Sequence, residues 1–335
     1  MSNLPWGLGS ATGIGSLPGT DIVEAVKTVL GELPELPYLP ELPDRGPGAD
    51  LIGRTAGFLV DLPIELYAAR WRLASRPGVD LRRTNDLRER DLDTLTVAAD
   101  GYAGPLKLQA AGPWTLAAGL DLPLGGRILR DGGATRDLAE SLAEGLAGHV
   151  AEVVARIPGA TPLLQLDEPS LPSVLAGGIP TESGWGRYPP VEATLVEQTL
   201  RHLVERVGVP VVVHCCAPGV PVALLRSAGA AGVSLDLDMF DLDSPKAIDP
   251  LGEALDAGFG LFAGVVPTLP PSPEPAQAAD RVRTLWRRFG FPPERLPGQV
   301  VVTPTCGLAG ATPEYARQAL TTCRETAHRL ADDPG

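Results

Sequence analysis

Short apolar runs recur along this sequence, and their alternation with amphipathic segments is the feature that most restricts the fold. Many of the runs are rich in β-branched residues and end in polar residues, glycine or proline. They span residues 12–16, 36–40, 106–113, 162–169, 209–216, 232–238, 260–266 and 299–306. Continuous apolar runs of this length are typical of strands that are buried on both faces of a parallel sheet.

Segments with the 3.6-residue period of an amphipathic helix lie between most of these runs. Residues 136–157, for example, place Leu138, Leu142 and Leu146 on one face, and Pro158 follows as a stop signal. Eight strands that alternate with helices predict an α/β protein, a single (β/α)8 TIM barrel with its active site at the C-terminal ends of the strands. A doubly wound open sheet is the alternative, but no GxGxxG motif follows the first strand.

Length and charge exclude several classes of protein. We expect the chain of 335 residues to form one catalytic barrel domain over residues 1–335. Its formal net charge of −13 argues against a nucleic-acid partner, which would require clustered lysine and arginine. No apolar run approaches the roughly 20 residues of a membrane span, and no secretory signal is visible. We therefore expect a cytoplasmic protein with no membrane partner.

Histidine and cysteine residues end two of the predicted strands. His214 and Cys216 are two residues apart, so their side chains point to the same side of the fifth strand while Cys215 points away. Cys306 ends the eighth strand and can reach the same mouth of the barrel. One histidine and two cysteines favour zinc with an open fourth position. Water, a substrate or Asp236 at the end of the sixth strand could occupy that position.

A pair of carboxylates, Asp167 and Glu168, ends the fourth predicted strand. Acidic residues before a proline often only cap a helix or a loop. However, two carboxylates at a strand end are costly unless they are paired or used. We therefore expect a functional role here, in which a carboxylate at the mouth binds an ammonium group.

Four stretches in the sequence carry a resemblance to a known family. They are GIGSLPGT at 13–20, LQLDEPSL at 164–171, VVHCCAP at 212–218 and TPTCGLAG at 303–310. In this order and spacing, the chain resembles the C-terminal catalytic barrel of cobalamin-independent methionine synthase. The resemblance covers nearly the whole chain and implies a short form that consists of the catalytic barrel alone.

The resemblance implies a zinc-dependent methyltransferase that converts homocysteine to methionine. It places zinc on His214, Cys216 and Cys306, and it puts Asp236 where the family has a glutamate as the fourth ligand. The zinc would lower the pKa of the acceptor thiol and so supply a thiolate nucleophile.

The resemblance also implies an acceptor site. Ser16 and Asp167 would hold the amino-acid end of homocysteine, and Asp167 is the residue expected to take part in catalysis by anchoring it. Glu41 corresponds to a family glutamate that shares this role. Anchoring of this kind fixes the sulfur against the methyl donor.

The methyl donor is the point at which this sequence departs from the family. Methyl-tetrahydrofolate requires protonation of its leaving nitrogen, and the family supplies a histidine for this after the seventh strand. Residues 263–273 contain no histidine, and none occurs between His214 and His328. We therefore expect a methylcorrinoid donor, either free methylcobalamin or a corrinoid protein, rather than a folate.

Three alternatives stay open at this point. The first is a zinc-dependent alkyltransferase that acts on another small thiol resembling coenzyme M. The second is a metal-free barrel like uroporphyrinogen decarboxylase, in which the coincidence of His214, Cys216 and Cys306 would have no purpose. The third is a non-catalytic relative that binds zinc, for which the shorter Asp236 leaves room.

Overall fold

The computed structural model describes residues 4–335, and its centre is a curled parallel sheet of six strands. These strands are β3–β8, numbered after a small N-terminal hairpin, and they follow one another in chain order across the sheet. Their bounds are Gly104–Ala111 (β3), Ala160–Asp167 (β4), Val211–Cys215 (β5), Gly232–Asp236 (β6), Gly260–Val266 (β7) and Val300–Pro304 (β8). The α/β class and the last six predicted strands are thereby confirmed.

Helices connect the strands and cover the outside of the sheet. The longer ones follow the amphipathic segments of the sequence, and shorter ones lie in the loops between strands and helices. Their bounds are Ile22–Glu32 (α1), Leu51–Ala56 (α2), Val79–Ala98 (α3), Pro113–Gly119 (α4), Gly132–Arg156 (α5), Leu171–Leu175 (α6), Ala193–Val207 (α7), Val222–Ser227 (α8), Pro245–Asp256 (α9), Pro275–Arg288 (α10), Leu296–Gln299 (α11) and Pro313–Asp332 (α12).

The first two predicted strands pair with the sheet only through isolated bridges. Ala11 bridges to Val302 of β8, and Tyr38 bridges to Lys107 of β3. A third bridge joins Ser16 to Glu41, so the two segments also contact each other. Their sequences explain the short pairing, because prolines remove backbone donors and glycines favour irregular backbone.

A two-stranded antiparallel hairpin is present that the sequence analysis did not predict. Its strands are Ile64–Tyr67 (β1) and Arg70–Leu73 (β2). The turn between them places Ala68 and Ala69 in the left-handed region, at φ values of 49° and 63°. Alanine carries no signal for such a turn, which is usually formed by glycine or asparagine.

The interior of the curled sheet has layers of different polarity. Successive inward-facing residues lie two apart along each strand. At one end, an apolar cluster fills the interior; it consists of Trp6, Leu36, Leu163, Val212, Phe262 and Val301. Two residues further along β4 and β5 come the polar side chains of Gln165 and His214, both buried. The functional candidates therefore lie toward the C-terminal ends of the strands.

Within residues 4–335, no helix has both the length and the apolar character that a membrane crossing requires.

Candidate metal centre and acceptor site

His214, Cys216 and Cys306 converge at the C-terminal ends of β5 and β8. His214 is the fourth residue of β5, Cys216 follows that strand directly, and Cys306 lies two residues beyond β8. One donor atom from each side chain lies within 4.8 Å of the other two. The two sulfur atoms are 3.5 Å apart. In the curled sheet, β6 and β7 lie between β5 and β8. The curvature of the sheet brings Cys216 and Cys306 together, although they are 90 residues apart in the sequence.

The donor set has the chemistry of a zinc site. The Nδ1 atom of His214 is 3.0 Å from Ser234 Oγ, whereas its buried Nε2 has no hydrogen-bond partner. When Nδ1 carries the proton and donates to Ser234, the lone pair of Nε2 is free to bind a metal. The hydrogen bond with Cys216 and the charge of the nearby His214 imidazole lower the pKa of Cys306 well below its usual range, although burial opposes this shift. These residues fit zinc, which prefers imidazole and thiolate ligands.

Ser234 is a residue that the sequence analysis missed. It lies on β6 two residues before Asp236 and is fully buried. The spacing could have revealed Ser234 in the sequence. Two residues before Asp236 on the same strand, Ser234 must lie on the same face as this candidate ligand, one layer further from the C-terminal end.

Asp236 ends β6, but its carboxylate does not belong to the group of three. Among the described residues, the set of donors within 4.8 Å of one another comprises only His214, Cys216 and Cys306. The Oδ1 atom of Asp236 instead accepts a hydrogen bond of 2.8 Å from the backbone N–H of Asp238. Burial raises the pKa of Asp236, and the neighbouring charges of Asp238 and Cys306 act in the same direction.

Asp167 ends β4, directly beside His214 in the parallel register. Its Oδ1 accepts a hydrogen bond of 2.7 Å from Gln165 Nε2. The carboxyl is buried, and burial raises the pKa of Asp167 to about 7, while the charges of His214 and Lys107 act against this shift. The structure therefore places a buried carboxyl next to the group of three.

Ser16 and Glu41 lie side by side, as their backbone bridge requires. Ser16 packs against the Cys306 loop so closely that a Cβ at Gly307 would lie 2.1 Å from Ser16 Oγ. The Oε1 atom of Glu41 accepts hydrogen bonds from Arg54 Nη1 at 2.8 Å and from Gln109 Nε2 at 3.2 Å. Glu41 and Arg54 form a buried ion pair. The Glu41 carboxylate therefore already has a cationic partner.

Glu168 points away from Asp167 and has a structural role. Its carboxylate accepts hydrogen bonds from the backbone N–H groups of Trp114 and Thr115 and from the Thr115 hydroxyl, at 2.7 to 3.0 Å. It therefore caps α4, whose own N-cap residue, Gly112, has no side chain. The capping interpretation that the sequence left open applies to this member of the pair.

Three further buried polar residues, Lys107, Gln109 and Gln165, lie below the site, and the sequence analysis did not single them out. Each is located two residues from another polar residue on its strand, with Gln165 before Asp167 and Lys107 before Gln109. A polar residue with period two inside an otherwise apolar run indicates an inward-facing position.

The sequence and the fold of this chain are similar to those of known proteins. Residues 108–329 match the family model described as cobalamin-independent synthase, catalytic domain. A solved structure of a B12-independent methionine synthase from Shewanella sp. W3-18-1, in complex with selenomethionine, has a TM-score of 0.59 at 14% identity, covering 98% of this chain and 99% of that one. A methyltransferase from Methanosarcina mazei has a TM-score of 0.51 at 16% identity, with coverage of 99% and 94%. No curated protein sequence gave a match.

Proposed function

Because the chain belongs to the family of cobalamin-independent synthase catalytic domains and is a methyltransferase, we propose that it methylates homocysteine to methionine with the help of zinc. The observation that carries this proposal is the convergence of His214, Cys216 and Cys306 within 4.8 Å. These three residues would hold the zinc, and the acceptor thiol or Asp236 would supply a further ligand.

The protein's own residues would bind and orient the acceptor. When bound, zinc lowers the pKa of a coordinated thiol and so provides a thiolate at neutral pH. Asp167 lies beside His214 and would hold the ammonium group of the amino acid, with Ser16 at the adjoining segment. Fixing both ends of the acceptor orients its sulfur toward the methyl donor, which reduces the entropic part of the barrier.

The metal test uses two neighbouring cysteines. Elemental analysis should find about one zinc per chain in the wild type and in Cys215→Ser, and much less in Cys306→Ser. Cys215 is the matched control because it is buried beside Cys216 without belonging to the group of three. Adding homocysteine should then change the zinc X-ray absorption edge toward more sulfur ligation. Equal zinc in all three proteins, or none in the wild type, would contradict the proposed ligand set.

For the donor, we propose a methylcorrinoid, free or on a partner protein. The segment after β7 has no histidine to protonate the leaving nitrogen of a folate. Methyl transfer to homocysteine should therefore proceed from methylcobalamin and not from methyl-tetrahydrofolate. Turnover with the folate alone would refute this part of the proposal.

One observation favours a second candidate, a small thiol without an amino group. Glu41, the counterpart of a residue that shares ammonium binding in the family, is already paired with buried Arg54 at 2.8 Å. A comparison of homocysteine with 2-mercaptoethanesulfonate as acceptors distinguishes the two candidates.

We also propose that the chain is one domain, a closed eight-stranded barrel in which the bridged segments 11–16 and 38–41 serve as the first two strands. The four free cysteines suit the reducing cytoplasm, where we place the enzyme.

A further inference from the structure

Three buried side chains, Lys107, Gln109 and Gln165, hold the two bridged segments onto the six-stranded sheet; we name them the polar clasp. Lys107 Nζ donates to the carbonyl of Ile14 at 2.9 Å, and Gln165 Nε2 donates to the same oxygen at 2.7 Å. Gln109 Nε2 donates to the carbonyl of Leu39 at 2.5 Å. Each clasp residue is at most 2% exposed.

The clasp contacts backbone close to the candidate acceptor residues. Ile14 lies two residues before Ser16, and Leu39 lies two residues before Glu41. Gln165 and Gln109 also donate to the carboxylates of Asp167 and Glu41, at 2.7 and 3.2 Å. At their isolated bridges these segments make only a few backbone hydrogen bonds, such as Leu39 N–H to Lys107 O at 3.2 Å. The side chains of the clasp add buried hydrogen bonds to this short strand pairing.

Lys107 lies at the centre of the clasp, and burying its ammonium group costs more free energy than burying either glutamine amide. Its ammonium group is completely buried, with bonds to Ile14 O and to Gln109 Oε1 at 3.3 Å, and it lies 5.0 Å from the centre of the Tyr38 ring. A buried ammonium destabilises a fold unless it is hydrogen-bonded and faces opposite charge. The carboxylates whose charges act on it are those of Asp167 and Glu41.

We propose that Lys107 is a positioning residue, which acts through the polar clasp to place Ser16, Glu41 and Asp167 around the amino-acid end of the acceptor. This inference rests on the proposed function, in that it takes the acceptor to be an amino acid. Lys107 itself need not touch the acceptor, because its bonds end on Ile14 and Gln109.

The test replaces the polar end of a clasp side chain with an apolar one of similar length. It measures methionine binding without a methyl donor and, separately, methyl transfer from methylcobalamin. Lys107→Met and Gln165→Met should each bind L-methionine at least about tenfold more weakly in calorimetry, because each loses a bond to Ile14. Their zinc content and their methylation of 2-mercaptoethanol, which has no amino-acid end, should stay within about twofold of wild type. The matched control is Lys27→Met, at an exposed lysine of α1, which should bind as wild type does.

The outcomes distinguish failure of this inference from failure of the proposed methyl transfer. Wild-type binding of methionine by Lys107→Met would overturn it, whatever the methyl donor proves to be. Equal losses with methionine and with 2-mercaptoethanol, or a variant that does not fold, would show a merely structural role and would overturn it too. In another outcome, the wild type binds methionine but transfers no methyl group, while both variants lose binding. That result would support the role of the clasp and refute the proposed donor. If the wild type binds no methionine, the acceptor assignment and the clasp's role fall together.

Discussion

The imidazole of His214 shows how neighbouring side chains fix the chemistry of single atoms. Ser234 occupies one ring nitrogen at 3.0 Å, and the other remains without a partner in a buried position beside two sulfur atoms. A buried polar atom without a partner is costly, so the site favours a ligand that binds it. The metal-binding candidate therefore depends on one serine hydroxyl as well as on the three residues themselves.

Gly307 provides a prediction at the residue scale. In Gly307→Ala the new Cβ would lie 2.1 Å from Ser16 Oγ, so the Cys306 loop and the Ser16 segment must move apart. Overpacking of this kind costs about 1–3 kcal/mol, and we expect methionine binding to weaken by about tenfold or more. Gly310→Ala is the matched control, because a Cβ there meets nothing within 4 Å. Calorimetric binding curves that coincide for the two variants would contradict the prediction.

At the scale of elements, α4 depends on the strand beside it. The helix starts after Gly112, and six of its seven residues are buried, so its first N–H groups have no access to water. Glu168 at the end of β4 supplies the missing acceptors. The same strand end thus carries Asp167 toward the site and Glu168 toward the helix, because consecutive residues point to opposite faces.

This arrangement predicts a pH dependence of stability. Burial raises the pKa of Glu168 from 4.5 to about 7, although its three hydrogen bonds oppose the shift. The folded protein therefore holds an extra proton between these values. The contribution of Glu168 is complete below pH 4.5 and is lost as the pH rises through 7.

The loss should be on the order of 3 kcal/mol for the whole shift. In Glu168→Gln this titration is absent, so its free energy of unfolding should fall less than that of the wild type as pH rises. Urea unfolding across this range measures both slopes, with Glu314→Gln at an exposed position as the control. Parallel curves for wild type and Glu168→Gln would refute the prediction.

Across the whole molecule, the side chains inside the curled sheet differ in role along its axis: those at one end stabilise the fold, and those at the other form the candidate site. One end is closed by apolar side chains, among them Trp6, whose ring meets Phe262 edge-on at 4.9 Å. The polar clasp lies above this layer, and the candidate metal and acceptor residues lie above the clasp. Substitutions at the apolar end should therefore lower the free energy of unfolding and leave metal and acceptor binding largely unchanged.

Trp6→Ala tests this separation. Removing a buried tryptophan leaves a cavity and should lower the free energy of unfolding by about 3–5 kcal/mol. The zinc content of the folded protein should not change. Trp185→Ala is the control, since that side chain is 97% exposed and its loss should be nearly neutral in urea unfolding. A Trp6→Ala protein that is as stable as Trp185→Ala would contradict the layered arrangement.

The sequence by itself determined the alternation of strands and helices, because buried strands and amphipathic helices have different periods of apolar residues. It also determined the candidate ligands His214, Cys216 and Cys306, since their residue types and positions at strand ends are local properties. The family resemblance, carried by four short stretches, was likewise visible in the sequence and is confirmed by the match over residues 108–329.

Only the tertiary structure decided what these groups contact. The sequence treated Asp167 and Glu168 as a pair, but the strand sends one to the site and the other to α4. The resemblance assigned Glu41 to the acceptor site, yet the fold brings Arg54 to it from α2. It gave no sign that Lys107 bonds Ile14, which lies 93 residues earlier. Such contacts form between segments that are far apart in the sequence. Neither the period of apolar residues nor the helix or strand propensity of a segment predicts them.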